Sequence, residues 1–148
     1  MSIHIYPSQK QIKGNFNGGE IMENKPIQMS HDHTKLQPYS NIFYWAHAWA
    51  EVTSTIGLHP HQAFEIVSFV LTGTVEHYDT KNKTWLPLQA GDVQIIRAGN
   101  GISHAEKMLE GTHMFHIWFD PHINLSLLQP ATYNDHKSSE FPIIEEPA

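Results

Sequence analysis

Short apolar and alternating runs, separated by turn residues, dominate the chain from residue 42 onward. Ile42-Phe43-Tyr44-Trp45-Ala46-His47-Ala48-Trp49-Ala50 is apolar and aromatic and predicts a buried strand. Glu65-Ile66-Val67-Ser68-Phe69-Val70-Leu71 is β-branched and aromatic and stops at Thr72-Gly73. Thr74 to Tyr78 predicts another strand, closed by the polar turn Asp79-Thr80-Lys81-Asn82-Lys83. Trp85 to Leu88, Val93 to Arg97, Ile102 to Met108 and Thr112 to Phe119 follow, divided by Ala90-Gly91-Asp92, Gly99-Asn100-Gly101 and Glu110-Gly111. Turn signals every 8–12 residues between short strands indicate an all-β sandwich or barrel. No segment before residue 121 sustains a 3.6-residue period of useful length. Lys13 to Pro38 is rich in Gly, Asn and charge and predicts loops with short strands. Ser126 to Ala148 holds three prolines and little periodicity, so it is expected to pack on the outside or to trail free.

At 148 residues the chain fits one domain. A hydrophobic fraction of 40% with 16% charged residues is that of a globular chain. No apolar run approaches the roughly 18 residues a spanning helix needs. Met1 to Lys10 lacks a basic start followed by an apolar core, so no signal peptide is expected and the cytoplasm is the expected location. With no cysteine, disulfides, thiolate metal sites and a cysteine nucleophile are excluded. A formal charge of −6, with nine Lys and Arg scattered along the chain, argues against direct nucleic-acid binding.

Twelve histidines give the chain unusual metal-binding capacity. His59-Pro60-His61 places two imidazoles at i and i+2, on one face of a strand and roughly 6–7 Å apart along it. His104-Ala105-Glu106 repeats the spacing 45 residues later. On neighbouring inward-facing strands the two pairs would supply three neutral nitrogens and one carboxylate. Pro60 cannot donate to a ladder and belongs at a strand start, an edge or a bulge. Unbroken alternation from His61 would also turn Glu65 inward, as a ligand or as an acceptor orienting an imidazole. Spacing alone leaves Glu65 and Glu106 both open as the carboxylate. His31-Asp32-His33 has the same spacing in a polar stretch and is expected to bind nothing. His77, before a turn, is expected to face solvent. His113 and His116 face opposite sides of a strand. Arg97 is expected in a surface ion pair.

These residues resemble the pirin family of the cupin superfamily. The resemblance rests on Gly57 to Val67, Gly73 to His77, Ala90 to Gln94, Ala98 to Glu106 and Ile117-Trp118, in order and correctly separated, over about residues 40–121. It implies a single cupin-type β-barrel, a double-stranded β-helix or jelly roll. Residues 1–39 would be an extension of loops and short strands wrapping the barrel. Residues 40–122 would be the cupin core with the metal site, and residues 123–148 a tail packed on the barrel or partly flexible. Carried over, the pattern makes His59, His61, His104 and Glu106 the ligands, usually of iron, with two positions open. Typical pirins have two cupin domains, and nothing here matches the second.

An N₃O set suits Fe(II), Mn(II), Ni(II), Co(II) or Zn(II), with Fe(II) favoured by the resemblance. Binding needs neutral imidazoles, so the site is expected to empty below about pH 6. Some pirin-like proteins resemble quercetinases, which implies a non-haem dioxygenase acting on flavonol-like aromatic substrates. Glu106 or Glu65 would take the substrate's hydroxyl proton, and Tyr44, Trp45, Phe64, Phe69 and Phe115 would line an apolar pocket. Pirins are also metal-dependent regulators, which implies as the alternative a non-catalytic, redox-sensing protein that binds another protein. A cupin acting on a small polar metabolite such as a sugar ranks last. Exposed strand edges would favour a homodimer.

Overall fold

The structure, a computed structural model, describes residues 5–29, 31, 36–38 and 40–141. Its strands in chain order are β1 (Ile12–Phe16), β2 (Ile21–Ile27), β3 (Ile42–Ala50), β4 (Ser54–His61), β5 (Glu65–Thr72), β6 (Thr74–Asp79), β7 (Trp85–Gln89), β8 (Val93–Arg97), β9 (Ile102–Met108), β10 (His113–Phe119) and β11 (Thr132–His136). A single α-helical turn among the described residues, α1 (Ile123–Ser126), precedes β11. No helix among them is long and apolar enough to cross a membrane.

The strands form two antiparallel sheets. The larger runs β1-β2-β3-β10-β5-β8-β11 and the smaller β4-β9-β6-β7. Thr112 Oγ1 donates to the Thr74 carbonyl and stitches the approach to β10 onto β6. The result is a β-sandwich of cupin type, with period-2 alternation sending one set of side chains between the sheets.

That interior is layered. Ile21, Val70, Val75, Leu88, Met108 and Met114 form one apolar cluster, and Ile66, Ile96, Ala98, Ile102 and Ala131 form another. Between them each of four strands carries a polar residue: Ser68 on β5, His77 on β6, His104 and Glu106 on β9, and His116 on β10, all buried. Burying so many polar groups is costly unless they bond to one another or to a ligand. β3 contributes Ala46 and Ala48 to the same interior, small side chains that leave room beside this layer.

Both flanking segments join the larger sheet. β1 pairs with β2, and β2 with β3. β11 pairs with β8 in continuous register from Thr132↔Arg97 to His136↔Val93, so the tail docks as a strand through residue 136. Beyond it Asp92 accepts from the Ser138 N–H and Lys137 Nζ, each at 2.9 Å. At the other end Asn100 N–H donates to the Gln129 carbonyl at 2.8 Å. Gly99, at φ +49°, lets this approach happen: a Cβ there would lie 2.6 Å from Gln129 O and 2.9 Å from Ala131 N.

Candidate metal centre

β4 and β9 are neighbours, and β4 is the edge of the smaller sheet, which accommodates Pro60. Their register jumps between Ile56↔Glu106 and His59↔His104, because β4 carries one extra residue there. This bulge sets His59 directly opposite His104 and re-aims both histidines of β4. The ligating nitrogens of His59, His61 and His104 all lie within 4.8 Å of one another. His61 Nε2 is 3.0 Å from His104 Nε2. His59 Nδ1 sits 2.8 Å from the Gly57 carbonyl, which fixes the Nδ1–H tautomer and leaves Nε2 with its lone pair.

The acidity of the cluster suits a cation. Burial, reinforced by His59, pulls His61 down to about 4. Burial also pulls His104 down to about 3, against the opposing pull of Glu106. Both imidazoles are therefore neutral near pH 7, the form that can ligate. The donor set of this chain fits a divalent metal.

Glu106 stands differently from the three histidines. It groups within 4.8 Å with His77 and His104, not with His59 and His61. Its Oε1 lies 3.2 Å from His116 Nε2, a close pair between two buried side chains. Burial pushes the Glu106 carboxyl up, but His116 and His104 outweigh it and hold it below the usual range. Burial pulls His116 down, and Glu106 overcomes that, raising it.

A cavity of about 300 Å³ opens beside the cluster, lined by His59, His104, Glu106 and His116 and walled by Phe16, Tyr44, Ile56, Ile66 and Trp118. Glu23 closes one side; Tyr44 Oη donates to its Oε1 at 2.5 Å, and Lys25 lies 3.3 Å from its Oε2. Burial and Glu23 raise Tyr44, which stays a neutral phenol. Of the aromatics expected here, only Tyr44 lines the cavity. Trp45, Phe69 and Phe115 lie on the other face of their strands, and Phe64 packs at a tilt against Phe43 and nearly parallel to Trp118.

Glu65 does not join the site. It pairs with Arg97 at 3.3 Å and lines a separate cavity of about 400 Å³ with His122, Gln129 and Thr132. The expectation assumed unbroken alternation from His61. Ala63, at φ +67°, breaks it, and β5 starts in a new phase. His77 also differs from expectation: it is fully buried, with Nε2 2.9 Å from His104 Nδ1. Its signal lay in Val75-x-His77-x-Asp79, whose alternation turns all three inward. His116 and Glu23 were missed because their neighbours belong to strands remote in sequence. In His31-Asp32-His33, His31 is exposed, and Asp32 and His33 lie outside the described residues.

A two-sheet β-sandwich with three imidazoles gathered on an edge strand and its sheet neighbour is the architecture of a metal-site cupin. Residues 15–119 match the Pirin family, and the chain belongs to it. It is 44% identical over 78 residues to quercetin 2,3-dioxygenase of Escherichia coli K12, covering 50% of this chain and 33% of that protein. The crystal structure of the bacterial pirin YhhW from Escherichia coli in complex with nickel(II) superposes with a TM-score of 0.74 at 26% identity, covering 88% of this chain and 56% of that one. An RmlC-like cupin from Shewanella frigidimarina shares the fold, with a TM-score of 0.55 over 84% of this chain and 96% of its own. The chain thus spans about a third of its curated relative's length.

Proposed function

We propose that this protein binds one divalent metal ion and acts as a non-haem dioxygenase of quercetinase type on flat aromatic substrates bearing an acidic hydroxyl. The observation that carries this reading is the convergence of His59, His61 and His104 beside an apolar cavity that His59, His104 and Glu106 line. His59, His61 and His104 would hold the ion, with Glu106 completing the set by turning from His116. When bound, Fe(II), or Mn, Ni, Co or Zn in its place, would supply Lewis acidity and a template for substrate and oxygen. Phe16, Tyr44 and Trp118 would stack and orient a planar ring. The neutral Tyr44 hydroxyl would keep Glu23 in place at the cavity edge. In the arrangement where it stays beside His116 instead of on the ion, Glu106, which lines this cavity together with Glu23, would take the substrate's hydroxyl proton. Glu65, paired with Arg97 and opening onto another cavity, is given no part in this reading. The test is oxygen uptake by Fe(II)-, Mn(II)- and Ni(II)-loaded protein with a panel of flavonols and catechols. Uptake that is lost in His61→Ala supports the reading; metal-loaded protein that consumes no oxygen with any of them overturns the catalytic part.

A second reading, a redox-sensing regulator that binds another protein, is favoured by the outer face of the larger sheet. Its outward positions Trp45, Val67, Phe69, Val93, Ile95, Phe115 and Ile117 are apolar, where a solvated sheet face would be polar. Equal partner binding by Fe(II) and Fe(III) protein would count against it.

A further inference from the structure

His104 has two ring nitrogens, and only the one without a proton can ligate. Nε2 faces His61 at 3.0 Å; Nδ1 faces His77 Nε2 at 2.9 Å. If His77 accepts from Nδ1–H, the His104 Nε2 lone pair points at the cluster. If His77 donates instead, that lone pair is lost to the site. The Gly57 carbonyl makes the corresponding choice for His59.

His77 is built for this contact. It has no exposure, and its neighbour in register on β9 is Glu106. Its own Nδ1 has no hydrogen-bond partner among the described residues. With Nε2 accepting from His104, the His77 proton sits on Nδ1, so this arrangement carries the cost of one unpaired buried N–H. The ring stacks on Tyr133 of β11, with centroids 4.8 Å apart and planes at 19°. Tyr133 is in turn anchored by Gln94 Nε2, which donates to its hydroxyl at 3.0 Å. Tyr133 lies beyond residues 15–119, the segment that carries the family match.

We propose that His77, held by the tail residue Tyr133, is a positioning residue that keeps His104 in the Nδ1–H tautomer and so presents its Nε2 to a metal ion. The inference rests on the reading of the histidine cluster as a metal site. Acceptors that orient ligating histidines are worth about 10–100-fold in metal affinity. Here that function reaches through a tail strand to the far edge of the larger sheet.

The experiment uses the full chain and Ni(II) as probe. Wild type, His77→Gln, His77→Leu and Tyr133→Leu are titrated with Ni(II) at neutral pH after circular dichroism confirms that each is folded. His77→Leu, which keeps bulk and removes the acceptor, is expected to weaken Ni(II) binding by about 10–100-fold. His77→Gln, which keeps an acceptor oxygen, is expected to restore most of it. Tyr133→Leu should move affinity in the same direction to a smaller extent. Metal-free protein is also examined by ¹⁵N long-range NMR of the His104 ring, which reports Nδ1–H in wild type and His77→Gln but not in His77→Leu. Wild-type affinity in folded His77→Leu, or an Nε2–H tautomer of His104 in wild type, overturns the proposal. Wild type that takes up no Ni(II) instead sinks the metal reading, and the tautomer measurement still decides the role of His77.

Discussion

Glu106 Oε1 and His116 Nε2 lie 3.2 Å apart in the interior, one on β9 of the smaller sheet and one on β10 of the larger. The pair bridges the two sheets in the layer that also holds His77 and His104. Removing one partner of a buried pair leaves the other uncompensated. Glu106→Gln is expected to lower stability by about 1–3 kcal/mol and to weaken Ni(II) binding. Urea unfolding and metal titration measure the two effects. Unchanged metal affinity would assign the ligand set to the three histidines alone.

Acid sensitivity follows from His61 and His104. Their folded pKa values, about 4 and about 3, lie below the ordinary histidine value of 6.5. In the unfolded chain both take up protons below pH 6.5, while the folded protein resists. Their contribution to stability is thus full above pH 6.5 and is lost as pH falls toward 4 and below. Metal-free protein should show a falling Tm over that window, and His61→Leu should flatten the profile. If these two imidazoles hold a metal, proton competition sets in below about pH 4, later than the histidine spacing alone led one to expect.

Glu65→Gln separates the two carboxylates that the sequence left open. Glu65 forms a half-exposed pair with Arg97, worth about 0–1 kcal/mol. Metal affinity and any oxygen uptake should match wild type. A loss comparable to that of Glu106→Gln would mean that Glu65 reaches the ion.

Gly99→Ala tests the tail. The added methyl meets the backbone of Gln129, which cannot yield as a side chain would. The expected cost is about 1–3 kcal/mol, read as a lower Tm. Because the displaced segment leads into Tyr133, Ni(II) affinity should fall as well.

The apolar outer face of the larger sheet is expected to bring two copies together. Trp45 and His47 contact Phe115 across strands, at ring separations of 5.8 and 5.6 Å. At the end of the face Glu65 and Arg97 pair with each other and add no net charge there. Sedimentation at high protein concentration should give a dimer for wild type and a monomer for Phe115→Glu. A monomeric wild type would leave the face to a different protein.

The sequence by itself determined the strands and the two i,i+2 pairs offered as candidate ligands. Both are local: period-2 alternation marks strands such as β5 and β10, and i,i+2 spacing puts His59 with His61 and His104 with Glu106 on shared faces. Tertiary structure decided which of these residues meet. The bulge in β4 sets His59 opposite His104, and the positive φ of Ala63 takes Glu65 out of phase with His61. Sheet order brought His116 to Glu106 and His77 to His104, and it turned an unpatterned tail into the strand that carries Tyr133. Sheet pairing is set by contacts between residues tens of positions apart, whose energies depend on the whole arrangement, so spacing along the chain does not encode it.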